Sequence, residues 1–170
     1  MYNASVILFG LIIVLLQCTF VDRISVFFIK PDLVFLYVIF IAFRENHYLA
    51  VFNGFIAGLF LGIFSICLAG LNSMSKTLIA FFITGIKSRL YREDMATQVI
   101  IIIVFGMLEL FILFITANLF SFSFEVMPSI NIRTLLGVIY TGVIAPPVFY
   151  IFNKIIDLLN RMFNIETSAI

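Results

Sequence analysis

Charged side chains are scarce in this chain, and those present are confined to a few short clusters. Asp, Glu, Lys and Arg make up 11% of the 170 residues, whereas they form about 25% of an average soluble domain. Four long stretches are uncharged apart from Glu109: residues 1–21, 48–75, 95–124 and 134–153. A mostly apolar stretch of about 18 residues can cross the ~30 Å hydrocarbon core as a helix. The pattern therefore excludes an ordinary soluble domain and predicts a protein that crosses the membrane several times.

Residues that commonly perform catalysis or hold metal ions are also rare. The single histidine, His47, lies beside Arg44 in a short polar turn, where a solvated histidine is the simpler interpretation. Cys18 and Cys67 lie within apolar runs, where a lone thiol behaves as a small hydrophobe. No H-E-x-x-H, G-x-S-x-G or Walker-type motif occurs. We therefore predict no enzyme, no catalytic residue, no metal site and no cofactor, and the net charge of +1 indicates no nucleic-acid partner.

The apolar runs predict a bundle of six transmembrane helices in a single domain, residues 1–170. Six helices of about 20 residues each use about 120 residues and leave no room for a soluble domain. The predicted spans are residues 4–21, 24–43, 48–71, 72–90, 95–121 and 132–156. Residues 152–164 form an amphipathic tail, with Ile155 and Leu158 on its apolar face, that is expected to lie on the membrane surface or to receive a partner helix.

Prolines occur in the second and the sixth predicted spans. Pro31 either begins a helix, with Asp32 complementing the helix dipole, or kinks a longer helix. Pro146 and Pro147 remove two backbone donors, and we expect them to interrupt the last span with a kink that shapes a packing surface. The alternative is a binding site, because interrupted helices line the sites of many transporters.

The basic residues predict the orientation in the membrane. Six spans place both termini on one side, and six basic residues share that side: Arg44, Lys87, Arg89, Arg92, Lys154 and Arg161. Four basic residues lie opposite: Arg23, Lys30, Lys76 and Arg133. Because cytoplasmic loops carry an excess of Lys and Arg, both termini are predicted to be cytoplasmic.

Small residues recur at every fourth position of the third span. Gly54, Gly58 and Gly62 would form a groove without side chains on one face of a helix, which lets another backbone approach closely. Packing within the chain's own bundle is favoured over an interface with a partner, because a GxxxG pattern alone is weak evidence for association between chains.

Three ionisable side chains are predicted to be buried in the bundle: Asp32, Lys76 and Glu109. A carboxyl group at the depth of Glu109 is costly and should face the interior or a polar cavity. Pairing with Lys76 would lower the cost for both groups, and this structural interpretation is favoured. The alternative is a proton or ligand site.

The order of these blocks resembles the MreD family of rod shape-determining membrane proteins. Residues 30–37 resemble the family's basic-Pro-polar opening of an apolar helix, and residues 54–59 match its G-F-x-x-G-L block. Residues 70–78 resemble the next segment, and residues 140–154 resemble the last helix. The resemblance covers about residues 30–154 and depends on the order and spacing of the blocks.

One position departs from the family's pattern. The family usually has an aspartate three residues after the G-L pair, where this chain has Gly62. The role of that carboxylate is therefore either missing here or supplied by another residue, with Glu109 as the candidate.

The resemblance implies a non-enzymatic subunit of the bacterial cell-elongation machinery in the cytoplasmic membrane. It implies binding to MreC and action with MreB and the lateral-wall peptidoglycan synthases. It also implies a six-helix fold similar to the substrate-binding S-components of energy-coupling-factor transporters. The rival hypothesis is therefore a vitamin-binding transporter subunit, which needs a capped pocket with several convergent polar groups. Short predicted outer loops and scattered intramembrane polar residues favour the scaffold.

Overall fold

The computed structural model describes residues 2–19, 29–64, 69–89, 95–119 and 132–162. In these ranges it contains six α-helices and one short 3-10 helix, Lys87–Arg89. The α-helices are α1 (Tyr2–Thr19), α2 (Leu33–Arg44), α3 (His47–Phe64), α4 (Ala69–Ile86), α5 (Met95–Leu119) and α6 (Ile132–Met162).

Three of these helices contain segments long and apolar enough to cross a membrane. The segments are His47–Phe64, Thr97–Thr116 and Ile132–Leu158. The shorter segments Ser5–Thr19 and Leu33–Arg44 are also apolar. The prediction of a helical membrane protein is confirmed, while the number of six spans stays a prediction.

The short helix α2 lies at the centre of the bundle. Residues 34–42 are all buried, and α2 packs against each of the other five α-helices of the described chain. A helix that is apolar all round is typical of such a central position. With about 1.5 Å of rise per residue, α2 is only about 18 Å long, which is shorter than the ~30 Å hydrocarbon core. Although α2 alone is too short to cross the membrane, its complete burial makes it the core around which the longer helices pack.

Helix α2 begins at Leu33, directly after Pro31 and its capping residue Asp32. The Asp32 Oδ1 atom accepts a hydrogen bond from the Phe35 amide at 2.7 Å, as an N-cap side chain should. The side chain of Gln17, in α1, fixes the backbone just before α2. It donates a hydrogen bond to the Pro31 carbonyl at 3.1 Å and accepts one from the Leu33 amide at 2.9 Å. Of the two predicted roles for Pro31, the structure agrees with a helix start, although Pro31 precedes the cap. The first part of the predicted second span, residues 24–28, lies outside the described residues.

The bounds of the third and fourth helices differ from the predicted ones. The predicted span continued to residue 71, whereas α3 ends at Phe64 and α4 begins at Ala69. The charge pattern could not show this boundary, because residues 48–75 are uncharged throughout. The packing agrees with these bounds: Gly58 faces Asn72 and Gly54 faces Lys76, so α3 and α4 lie antiparallel and side by side.

Helix α6 continues through both prolines and through most of the predicted tail. It is helical from Ile132 to Met162 with Pro146 and Pro147 inside it, so the prolines do not end the helix, and the expected kink stays a prediction. Buried neighbours on either side, Ala145 and Phe149, hold the helix where two backbone donors are missing. Residues 152–162 extend this same helix, and Leu158 of the predicted apolar face is 58% exposed, so that face is not covered by the chain itself and its contact with the membrane surface or a partner helix stays a prediction. Residues 163 and 164 lie outside the described chain.

Candidate functional site: a buried charge triad beside a cavity

The glycines of α3 position α4 at very short range. A Cβ atom added at Gly58 would lie 2.5 Å from the Asn72 carbonyl oxygen and 2.7 Å from the Ser73 Cα atom. At Gly54 it would lie 2.9 Å from the carbonyl oxygen of Lys76. Because these neighbours are backbone atoms, they cannot rotate away. Gly62 is also buried on α3. This contact sets the position of the Lys76 backbone relative to the rest of the bundle.

Lys76 lies at the centre of a triad of charges from three parts of the fold. Its Nζ atom is 2.7 Å from Asp32 Oδ2, at the start of α2, and 2.7 Å from Glu109 Oε1, in the middle of α5. The side chains of Lys76 and Glu109 are only 1% and 9% exposed. We refer to Asp32, Lys76 and Glu109 as the charge triad. The structure therefore brings together all three ionisable residues that the sequence predicted to be buried.

Asp32 differs from its prediction, because its side chain is 37% exposed. The reason is its position as an N-cap at the end of a helix. One carboxylate oxygen caps α2 at Phe35, and the other receives the Lys76 ammonium. The backbone amide of Asp32 also donates to Thr141 Oγ1 at 3.0 Å, which connects the triad to α6. Asp32 thus joins α2, α4 and α6.

The triad has one more negative charge than positive charge. A buried ammonium group is tolerated when carboxylates surround it, and Lys76 has two. The Lys76 Nζ atom also lies 5.0 Å from the ring centroid of Phe35, where the face of the ring favours a cation. The Ser75 hydroxyl lies 3.4 Å from Glu109 Oε1. These contacts stabilise the charges at a position that would otherwise be unfavourable.

Sequence reasoning paired Lys76 with Glu109 but did not identify Asp32 as its second partner. A signal was present in the order of the helices. Consecutive helices of a bundle alternate in direction, so the starts of α2 and α4 lie at the same end. Asp32 and Lys76 both lie near those starts, which makes a contact between them possible.

A cavity of about 330 Å³ adjoins the triad. Its charged lining consists of Lys30, Asp32, Lys76, Glu109 and Arg133. Neutral polar and apolar residues of α4, α5 and α6 complete the wall, among them Asn72, Leu113 and Thr141. The cavity is therefore polar, and its charged residues come from several parts of the fold, at the end of the bundle where α6 begins.

A second polar cluster lies at the opposite end of the bundle. Arg44 forms an ion pair with Asp157 at 2.9 Å and donates to Asn153 at 3.0 Å. Lys87 donates to the backbone carbonyl of Glu45. His47 is exposed, and its Nδ1 atom lies 2.6 Å from the Thr84 hydroxyl. This cluster fastens the ends of α2, α4 and α6 together.

No arrangement for metal binding occurs among the residues that the structure describes. These residues contain no group of three His, Cys, Asp or Glu side chains that could hold a metal ion. Cys18 is a free, half-buried thiol, and Cys67 lies outside the described residues.

The two predicted packing features do not meet. Gly54 and Gly58 face α4, whereas α6, which carries Pro146 and Pro147, packs mainly against α5 and α2. Pro146 is half-buried and Pro147 is exposed. The glycines and the prolines therefore belong to different contact surfaces.

The apolar helices define a helical membrane protein, and the charge triad pairs its buried Lys76 and Glu109 with each other inside the bundle. Its family follows from the sequence match. The chain belongs to the MreD family, since the family model of the rod shape-determining protein MreD matches residues 2–155. The resemblance described above is thus confirmed, and it extends further toward the start of the chain. Neither a curated protein nor a solved structure matches the chain. Membership of the family indicates a role in rod shape determination.

Proposed function

We propose that this chain is a non-enzymatic subunit of the bacterial cell-elongation complex. In this proposal it binds MreC and, directly or through MreC, acts with MreB and the lateral-wall peptidoglycan synthases. The observation that carries the proposal is the match of the family model to residues 2–155, which is nearly the whole chain. In this proposal the protein lies in the lipid bilayer of the cytoplasmic membrane.

The internal packing indicates which surfaces are left for a partner. Gly54 and Gly58 already contact the backbone of α4, so they are not available to contact a partner. They contribute to partner binding only indirectly, by setting the position of α4 relative to α3. The outer face of α5 carries a continuous row of exposed apolar side chains at helical spacing: Ile100, Val104, Met107, Phe111 and Phe114. A row of this kind suits either lipid or a transmembrane helix of a partner. We therefore assign the partner contact to the outer faces of the bundle rather than to the glycine row.

The proposed topology has six spans and both termini in the cytoplasm. The contacts of Arg44 with Asp157 and of Lys87 with Glu45 support it, because they join the last turns of α2, α4 and α6 at one end. Lys154 and Arg161 lie in the same part of α6. A concentration of basic residues at this end fits the cytoplasmic side. A fold similar to the S-components of energy-coupling-factor transporters is part of the same proposal.

Depletion of the protein in a rod-shaped host tests the function. We expect rounded cells, and we expect the tagged protein to recover MreC from membranes solubilised in a mild detergent. A tagged unrelated protein with several transmembrane helices is the matched control for the recovery. Cells that keep their rod shape after complete depletion would contradict the proposal.

The cavity supports a second candidate, a small-solute (vitamin) binding subunit of a transporter. Its volume of about 330 Å³ and its five charged lining residues are compatible with a small polar ligand. Loss of vitamin uptake in depleted cells of normal shape would favour this candidate. The family match favours the first candidate, a subunit of the cell-elongation complex.

A further inference from the structure

Helix α6 is longer than the hydrocarbon core of a membrane. It contains 31 residues from Ile132 to Met162, which at about 1.5 Å per residue gives a length of about 46 Å, against ~30 Å for the core. Its uncharged stretch, residues 134–153, is about 30 Å long by the same rise and matches the core by itself. With this stretch in the core, Lys154 lies where the hydrocarbon ends, and the last turns of α6 extend beyond it.

The end of α6 is held against the bundle by packing and by an ion pair. Phe152 and Ile156 are buried, with only 4% and 1% of their surface exposed. Asp157 pairs with Arg44, the last residue of α2, at 2.9 Å. Because α6 is unbroken to its end, its last turns continue along the bundle instead of turning onto the membrane surface.

The opposite side of this segment carries alternating apolar and basic side chains. Ile151, Lys154, Leu158 and Arg161 follow one another at intervals of three or four residues, so they share one face of the helix. All four are exposed, and more than half of the surface of Leu158 is accessible. The end of α6 therefore presents an apolar side chain between two cations, directed away from the bundle.

The positive charge of this face is not neutralised by its own helix. The only carboxylate among residues 150–162 is Asp157, and it is bound to Arg44. Three cations, Arg44, Lys154 and Arg161, against this one carboxylate leave two net positive charges at the end of α6. An occupant of matching chemistry therefore carries negative charge on both sides of an apolar group.

The depth of these residues indicates a protein rather than a lipid as the occupant. By the helical rise, Leu158 lies about 6 Å and Arg161 about 10 Å beyond Lys154. The headgroup layer on each side of the core is only about 5–8 Å thick, so acyl chains cannot cover Leu158, and Arg161 lies at or beyond the outer edge of the headgroups. A lipid would contact Lys154 alone, whereas a protein segment that runs beside α6 can contact all three residues.

We propose that Lys154, Leu158 and Arg161 form a docking site for an acidic segment of a partner protein. An apolar residue of that segment covers Leu158, and carboxylates about one helical turn to either side of it pair with the two cations. The charges select the partner and speed its association, while the apolar contact stabilises the complex. The inference rests on the proposed function, because it describes the contact with one partner of the elongation complex.

The test places a photoreactive group at the centre of the site in the full-length chain. With Leu158→p-benzoylphenylalanine, irradiation of membranes of the rod-shaped host should join the chain to a protein, and mass spectrometry should identify the joined segment. We expect Asp or Glu within about four residues of the joined position. Lys154→Glu/Arg161→Glu should lower the yield about tenfold, because two attractions become repulsions. Lys154→Arg/Arg161→Lys keeps both charges and is the matched control, which should give the native yield.

Two further measurements distinguish a lost contact from a damaged fold. Thermal unfolding of the purified charge-reversed chain in detergent should match that of the native chain, because both side chains are exposed. Exchange of the carboxylates of the joined segment for lysine should restore the yield with the charge-reversed chain. Adducts with lipid alone, with a segment that lacks carboxylates, or of unchanged yield after charge reversal would overturn the proposal. Rounded cells after depletion, together with no protein adduct at Leu158, would overturn the docking site and leave the proposed function standing.

Discussion

Lys76 Nζ and Glu109 Oε1 lie 2.7 Å apart in the interior of the bundle, and Asp32 Oδ2 lies at the same distance from the same nitrogen. The ammonium group therefore has two carboxylate partners, while Glu109 has one cation. This asymmetry makes the three residues unequal in their effect on stability, and it leads to the first prediction.

Lys76→Met should be the most damaging single change in the triad. It leaves two carboxylates facing each other, one of them buried, and breaking such a buried arrangement costs about 3–5 kcal/mol. Glu109→Gln should cost less, because Lys76 keeps Asp32. Thermal or denaturant unfolding of the purified chain in detergent would give the relative stabilities of the two variants. The double variant Lys76→Met/Glu109→Gln should be more stable than the sum of the two single losses predicts, because it no longer leaves the buried Glu109 carboxylate without a cation. Strict additivity of the two changes would show that Lys76 and Glu109 are not coupled.

Gly58→Ala and Gly70→Ala should have opposite effects. A Cβ atom at Gly58 would lie 2.5 Å from a backbone oxygen of α4, whereas nothing lies within 4 Å of one at Gly70. The change at Gly58 should therefore cost about 1–3 kcal/mol through overpacking. The change at Gly70, within α4, should be neutral or stabilise by about 0.5–1 kcal/mol because alanine favours the helix. Unfolding midpoints measured side by side provide the comparison. Equal stabilities of the two variants would mean that α3 and α4 are not in close contact at Gly58.

Substitutions at Asp32 can distinguish the contribution of its capping hydrogen bond from that of its ion pair with Lys76. Asparagine can still accept the hydrogen bond from the Phe35 amide but loses the ion pair with Lys76, whereas alanine loses both. Asp32→Ala should therefore be less stable than Asp32→Asn by about 1 kcal/mol, the usual contribution of an N-cap side chain. Circular dichroism during thermal unfolding would give the difference. Identical unfolding of the two variants would show that the Asp32 side chain does not stabilise the start of α2 as a cap.

Single cysteines should test the proposed orientation. In a background with Cys18→Ser and Cys67→Ser, a cysteine at Ser88, just after α4, should react with a membrane-impermeant maleimide only from the cytoplasmic side. A cysteine at Ser129, before α6, should react only from the outer side. Labelling of intact cells and of inside-out vesicles would distinguish the two sides. Reaction of both cysteines from the same side would exclude six spans with cytoplasmic termini.

The class of protein could be predicted from the sequence because it depends on composition along the chain. Long uncharged runs must lie in an apolar environment as helices, whatever their partners are. Helix boundaries inside such runs were harder to predict. Residues 48–75 carry no charge, so nothing in the composition shows where one helix gives way to the next. The contact of Gly58 with Asn72 shows that these two residues belong to different, adjacent helices.

The partners of the buried charges were only partly predictable. The depth of Lys76 and Glu109 follows from their places in apolar runs, and opposite charges at similar depth favour a pair. The second partner, Asp32, is 44 residues from Lys76 in the chain, and no local pattern connects them. Their contact results from the central position of α2, which places its N-cap against α4.

The sequence by itself determined the helical membrane character, the family and the identity of the intramembrane charges, because each depends on residue type and order. Only the tertiary structure decided that the glycine row receives the chain's own α4, that α6 passes unbroken through Pro146 and Pro147, and that Asp32, Lys76 and Glu109 adjoin one cavity. These are relationships between distant segments, and they follow from how whole helices pack around α2 rather than from any stretch of the chain alone.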